Sequence, residues 1–401
     1  MHSLKKYFLL DPSVTFLNHG SFGATPRPVF AAYQRWQREL ERQPVEFLGR
    51  RTTGLMREAR QALGDYLGAA AEDLVYTTNV TVSLNIVARS LHLGPGDEVL
   101  ATDHEYGALD RTWRFLAKER GFTYLNQPIP VPLTTKEAFV DELWKGVTPR
   151  TRVIFLSNIT SPTALLFPVE EVCARARREG LLTVVDGAHA PGQVPLNLDT
   201  LGADFYGGNL HKWLCAPKGA GFLYARPQVQ GLLAPLVVSW GYEAEVPGPS
   251  RFVDHHEWIG TRDIAAFLAV PAAIRFQAQH DWPRVRAACH ELLAEAVERV
   301  SELSGLAPLF PPTPGVHDRG AEAAEGGNGG MKGGWYVQMA AAPLPDSTDL
   351  AALKTRLYDE QRIEVPLIQW NGRKLVRISV QGYNTRRDVM RLVSALGRLM
   401  A

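Results

Sequence analysis

Cysteine is scarce in this chain: Cys173, Cys215 and Cys289 are the three among 401 residues, odd in number and far apart. They can build neither a disulfide framework nor a spaced zinc site, and they point to a reducing, cytoplasmic setting. An excess of one charge is missing too. Lys and Arg number 43 against 42 Asp and Glu, a formal net charge of +1. Neither nucleic acid nor a membrane surface is therefore an expected partner. No apolar run approaches the roughly 20 residues that span a bilayer. Tyr7-Phe8-Leu9-Leu10, after Lys5-Lys6, is too short for the apolar part of a signal peptide. Two signatures are also absent, HExxH for zinc and GxGxxG for a dinucleotide. Asp254-His255-His256-Glu257, read as extended chain, points its histidines apart, so no metal is expected.

What is present describes a globular protein with ample core: 45% hydrophobic and 21% charged residues, with a mean hydropathy of −0.13. Short apolar runs at 74–77, 99–102, 122–125, 153–156, 182–185 and 221–224 read as strands. Amphipathic stretches at 109–120, 138–147 and 169–179 lie between them. Strands that are apolar throughout, alternating with helices, imply an α/β fold with a mainly parallel sheet covered on both faces. After Thr261 the pattern becomes helical to about residue 305, and then mixed. The reading is an N-terminal arm over 1–25, a large α/β domain over 26–265 and a smaller α+β domain over 266–401. A Gly/Pro-rich loop is expected at about 311–334. Ligand chemistry is expected at the cleft between the domains.

The strongest signal is VVDGAHAPGQVPL followed by ADFYGGNLHKWLCAPKGAGFLY. An apolar strand ends at Asp186, which places a carboxylate at the carboxyl edge of the sheet, where open α/β sheets bind ligands. Lys212 follows 26 residues later, before another predicted strand. A lysine that forms a Schiff base must sit in a partly desolvated pocket, because only the neutral amine is nucleophilic. Asp and Lys so disposed, each read as lying on its own strand, suit pyridoxal phosphate: the carboxylate keeps the pyridine nitrogen protonated and the amine holds the aldehyde. The plainer alternative has Asp186 capping a turn and Lys212 in solvent. Asn79-Val80-Thr81 sits between a predicted strand and a predicted helix, a junction that binds phosphate through free N–H groups.

These segments, with FLNHGSFGATPRPV, TTNVTVSLN, DHEY, LSNITSP, WIGTRD and LVRISVQGYNT, span Phe16 to Thr385. By them the chain resembles the class V aminotransferase family of fold-type I pyridoxal phosphate enzymes, and within it the isopenicillin N epimerase-like branch. The resemblance implies a large domain with a mainly parallel seven-stranded sheet between helices, plus a small α+β domain. It implies Asn209 and His211 as cofactor ligands beside Lys212, and His104 stacked on the pyridine ring, with Tyr106 as the alternative. His189 is placed near the cofactor's phenolic oxygen, and Asn158 near that oxygen and the substrate carboxylate. Arg377, in LVRIS, is either a surface residue or a fork for an amino-acid carboxylate, and the resemblance favours the fork. Gly260-Thr261 matches a segment that reaches the phosphate of a neighbouring subunit, which implies a homodimer.

Reaction type is less determined. Cysteine desulfurases share the fold and use a cysteine shortly before the segment matching Arg377, whereas 365–374 here reads VPLIQWNGRK. Epimerisation, carbon–sulfur lysis and transamination all begin with loss of the substrate α-proton. An epimerase-like activity on an amino-acid substrate is expected, with a lyase or aminotransferase as alternatives. From other classes, a nicotinamide-dependent dehydrogenase lacks its glycine turn and leaves Lys212 unexplained. A catalytically silent binding protein on this scaffold is the third reading.

Overall fold

Every strand of the large sheet alternates between two apolar layers, and this explains both the sequence pattern and the place of the site. The computed structural model describes residues 4–311 and 334–400. The loop expected at about 311–334 thus falls, but for its two end residues, outside the described residues. Among these, seven strands form the main sheet: β1 Leu74–Thr77, β2 Glu98–Thr102, β3 Thr123–Gln127, β4 Thr151–Ser157, β5 Leu182–Gly187, β6 Phe205–Asn209 and β7 Gly221–Ala225. Their order is β1-β7-β6-β5-β4-β2-β3. All neighbours are parallel except β7, which runs antiparallel to both β1 and β6.

Val99, Ala101, Val153, Phe155, Val184 and Phe205 belong to one buried layer, while Leu100, Ile154, Leu156, Val185 and Tyr206 belong to the other. The first layer is closed by α3 Val80–Ser90 and α4 Gly107–Arg120, through residues such as Leu84 and Trp113. Across the sheet lie α1 Arg27–Arg42, α2 Thr52–Leu67, α5 Lys136–Trp144 and α6 Val169–Arg178. With both faces buried, a strand has no reason to alternate polar and apolar residues.

The strand that sequence periodicity did not mark is β6, because FYGGN reads as a turn. Its glycines answer a packing demand. A Cβ at Gly207 would press on Val80 and Leu84 of α3 at 3.0 Å, and one at Gly208 would lie 2.3 Å from the Phe222 ring. Lys212 follows β6 on a turn rather than lying on a strand of its own, since β6 ends at Asn209 and β7 begins at Gly221.

Beyond the large sheet come α7 Val270–Gln279 and the long α8 Trp282–Ser304, each with proline in its first turn. A three-stranded antiparallel sheet follows, ordered β9-β10-β8 from β8 Met339–Leu344, β9 Leu367–Trp370 and β10 Arg373–Ser379. Helices α9 Leu350–Asp359 and α10 Arg386–Met400 complete this smaller unit. The N-terminal arm joins this unit directly: Thr15 and Phe16 pair in parallel with Ile363 and Glu364. The Asp254–Glu257 run is helical rather than extended, and Glu257 pairs with the buried Arg60. No group of three His, Cys, Asp or Glu side chains among the described residues could hold a metal.

Phe155 is fully buried on the central strand β4, so Phe155→Ala should lower the unfolding free energy by about 3–5 kcal/mol. Urea titration followed by tryptophan fluorescence should show the midpoint falling with little change in slope.

Candidate active site

The carboxyl edge of the sheet collects the residues on which the chemistry depends. β4 and β5 run side by side with Ser157 paired to Asp186, so the ends of both strands open at one level. Asp186 is buried; one carboxylate oxygen accepts the N–H of Ala188 at 2.8 Å. Burial raises its pKa to about 6, against the lowering effects of that N–H and of Lys212. Asn158, just past β4, donates its backbone N–H to the Asp186 carbonyl at 2.8 Å and accepts the Tyr206 hydroxyl at 2.9 Å.

The Lys212 amine lies 3.1 Å from Nε2 of His189. Burial lowers its pKa to about 8; Asp186 opposes this and Arg377 adds to it. His189 is held neutral, its pKa pushed well below the ordinary value by burial and then by the Lys212 and Arg377 cations. The indole N–H of Trp213 donates to Nδ1 of His189 at 3.2 Å. His211 donates through Nδ1 to the Ala220 carbonyl at 3.1 Å, and burial brings its pKa to about 4.

Arg377 comes into this site from the small sheet. It is 5% exposed, with Nη1 donating to the carbonyl of Ser161 at 2.5 Å and to its hydroxyl at 3.3 Å. Nη2 donates to the Ser21 hydroxyl at 3.2 Å. Nε is buried and has no partner. No carboxylate is an ion-pair partner of this guanidinium among the described residues, and burial alone lowers its pKa, to about 10. A buried cation without a counter-ion is costly, and a ligand carboxylate would relieve that cost.

At the start of α3 the groups expected to meet phosphate are partly committed to one another. The Val80 N–H donates to Oδ1 of Asn209 at 2.9 Å, and Oδ1 of Asn79 caps the helix by accepting from Val82 at 3.1 Å. Val80 and Asn79 therefore shape the helix terminus. Thr81 lies in the same first turn, at the positive end of the helix.

His104 has other partners than a cofactor ring. Its side chain is fully enclosed, with Nδ1 bonded to the Thr163 hydroxyl at 2.8 Å and Nε2 to the Ile129 carbonyl at 3.1 Å. Trp370 lies against it at 4.2 Å between ring centroids, and Phe167 meets it edge-on. These partners enclose the ring in this structure. Tyr106, the N-cap of α4, is 40% exposed. Thr261 stands on an exposed bend.

Several neighbours carried no chemical signal in the sequence. His19 is buried, donates through Nε2 to the Lys212 carbonyl at 3.0 Å and meets the Tyr383 hydroxyl at Nδ1, 2.9 Å away. It so ties the arm to the lysine turn and to the small unit. Glu105 is buried between the hydroxyls of Thr102 and Ser157, each 2.6 Å away, and burial raises its pKa to about 8. His19 lies within FLNHGSFGATPRPV and Trp213 directly follows Lys212, so position in a matched segment was the one available signal.

Comparison with known proteins agrees with this geometry. The profile of the class-V aminotransferase family matches residues 21–315. The chain belongs to the class V aminotransferase family. It is 41% identical to an isopenicillin N epimerase of Amycolatopsis lactamdurans, over 97% of this chain and 96% of that protein. It is 29% identical to a putative L-cysteine desulfhydrase of Oryza sativa subsp. japonica, over 98% and 84% of the two chains. Among solved structures, the cystine C–S lyase C-DES, with glycine covalently linked to its pyridoxal phosphate, superposes with a TM-score of 0.80 at 21% identity. That match covers 97% of each chain and marks the fold as type I. Pyridoxal phosphate is the cofactor of the class V family, and this member is an enzyme by descent. The residues present fit the group. A buried carboxylate, a lysine of lowered pKa and a helix terminus stand together, and a guanidinium with an unpartnered Nε faces the same amine.

The Lys212 amine should react with a small amine-modifying reagent with a pH midpoint near 8, more than two units below an ordinary lysine at 10.5. Because the charged form is the one disfavoured, labelling at pH 7 should be well above that of exposed lysines, as read by peptide mass spectrometry. A midpoint near 10 would contradict the burial of this amine.

Proposed function

We propose that this protein is a cytoplasmic pyridoxal phosphate-dependent enzyme that labilises the Cα–H bond of an amino-acid substrate and returns the proton to give the epimer. The observation that carries the reading is Arg377: a buried guanidinium, without a carboxylate partner and with a free Nε, close enough to Lys212 and His189 to lower the pKa of both. Its fork suits a substrate carboxylate and would set the α-carbon near the Lys212 amine. The 41% identity to an isopenicillin N epimerase over almost the whole chain favours the epimer as product.

When bound, pyridoxal phosphate supplies an electron sink for the pair left as the Cα–H bond breaks. The protein's own residues do the rest. Lys212, whose lowered pKa makes the free amine accessible near neutral pH, would hold the cofactor covalently and take the proton from one face of the α-carbon, the epimer forming when a proton is delivered to the opposite face. Asp186 keeps a carboxylate for the ring nitrogen, and Thr81 with Asn209 takes the phosphate. Asn158 is held in place by Tyr206 at the edge where His189 and the substrate carboxylate converge. Tyr106, with its exposed ring, is the residue for the cofactor's face.

The second reading is lysis at the β-carbon, favoured by the similarity to desulfhydrases. Thiol-based desulfuration has no support. All three cysteines are buried, and burial pushes each thiol up to about 12.

Borohydride should fix pyridoxal phosphate on Lys212, and Lys212→Ala should abolish that adduct. In heavy water the true substrate should recover deuterium at Cα with inverted configuration, whereas the lyase reading expects a keto acid with ammonia or sulfide. Arg377→Ala should raise KM and lower kcat/KM by about a hundredfold. Turnover without exchange or elimination, or unchanged kinetics in that variant, would remove the basis of the reading.

The working unit is proposed to be a homodimer in which the Gly260–Thr261 turn reaches the partner's phosphate site. Trp240 and Val246, which line one pocket with Trp258 and Arg262 on either side of that turn, are 85% and 89% exposed. Dilution followed by sedimentation should release cofactor as the dimer dissociates; a cofactor-retaining, active monomer would contradict this.

A further inference from the structure

Three side chains beside the site leave one arrangement of hydrogens. An indole N–H can only donate, so Trp213 Nε1, 3.2 Å from His189 Nδ1, requires a lone pair there. An imidazolium would set N–H against N–H at that contact. A neutral ring without its proton on Nδ1 carries it on Nε2, and Nε2 is the atom 3.1 Å from Lys212 Nζ. The Lys212 amine accepts this hydrogen through its own lone pair, which an ammonium lacks.

We propose that Trp213 is a positioning residue that fixes the proton of His189 on Nε2 and thereby keeps Lys212 poised as the free amine. This rests on the cofactor reading given above, which assigns Lys212 its role, and adds to it the residue that sets the lysine's protonation.

Trp213 is built to hold one orientation. It is fully buried, packed with Ile159, Ala164 and Met339. Its carbonyl accepts from Gln277 Nε2 at 2.9 Å. Gly192, at φ +94°, lets the backbone come so close that a Cβ there would meet the Trp213 carbonyl at 2.3 Å. On its other side the indole lies against the His19 ring, 4.9 Å between centroids. His189 is buried too, and Gln193 Nε2 holds its carbonyl at 2.8 Å. The titratable groups facing the His189 ring are Lys212 and Arg377, with His19 and His211 beyond; burial first, and then positive charge on any of these, disfavours a second proton on the ring. A phenylalanine at position 213 would preserve most of the packing and remove the one donor. His189 could then turn its lone pair to Nε2 and accept from an ammonium.

The test uses the whole chain labelled with 15N-histidine, studied by long-range proton–nitrogen NMR at pH 9, above the Lys212 midpoint near 8, without added cofactor and again after loading with pyridoxal phosphate. The His189 signals are identified by their loss in His189→Gln. In the unsubstituted enzyme Nδ1 is expected unprotonated and Nε2 protonated in the cofactor-free form. In folded Trp213→Phe the Nδ1–H form should appear. The midpoint of Lys212 labelling should then rise by about one pH unit, slowing reaction at pH 7 about tenfold. A merely structural loss would lower the melting temperature without moving that midpoint. A protonated Nδ1 in the unsubstituted enzyme would overturn the proposal whether or not the variant folds. So would a folded Trp213→Phe that keeps both tautomer and midpoint. Borohydride fixation at another lysine would sink the cofactor reading but leave the tautomer measurement standing, so the two failures are distinguishable.

Discussion

Two buried cations, Lys212 and Arg377, share a region that water barely reaches with one buried carboxylate, Asp186, which acts on Lys212. Charge of that kind is tolerated inside a protein only when paired or shed. Here it is shed by Lys212, whose proton is easily lost, and left unpaired on Arg377, which cannot lose its own near neutral pH. The remaining structure can be understood as support for this imbalance. The sheet edge holds the carboxylate, the turn after β6 holds the amine, and the small sheet brings in the guanidinium. An anionic amino-acid substrate and an anionic cofactor both restore neutrality, so the free energy withheld from stability becomes available for binding.

How much of this could be read from the sequence follows from how local each feature is. The apolar runs at 74–77 and 182–185 are strands because their burial on both faces leaves an unbroken pattern, and that pattern is printed along the chain. β6 escaped notice because its glycines serve contacts with α3 and Phe222, which lie far away in sequence. Asp186 and Lys212 were legible since one ends an apolar strand and the other sits in an unusual local setting. The partners of His104 could not be: Thr163, Ile129 and Trp370 come from three separate segments, and no spacing in DHEY foretells that they would enclose the ring. The same holds for Val80 and Asn209, which lie 129 residues apart and satisfy each other where both were read as phosphate donors.

None of the three thiols of this chain is exposed: Cys173, Cys215 and Cys289 are all buried. A cysteine desulfurase from Thermococcus onnurineus superposes with a TM-score of 0.80 at 21% identity. Shared architecture positions a lysine and a carboxylate; what happens after the α-proton leaves depends on groups that the architecture does not dictate. Here those groups come from segments converging on Arg377, including Ser21 of the arm and Ser161 after β4.

The arm and the small unit share one strand pair, Thr15–Phe16 against Ile363–Glu364, and one side-chain chain. Arg377 donates to Ser21, Ser21 to Asn18, and Asn18 to Glu364. The arm and this unit are thus a single module in space, although Asn18 and Glu364 stand 346 positions apart. A chimera that exchanged only the C-terminal part with a relative would separate Arg377 and Glu364 from the hydroxyl and amide that orient them. Recombination at this fold should respect a boundary drawn twice, once after the arm and once before β8, with both pieces taken from the same parent.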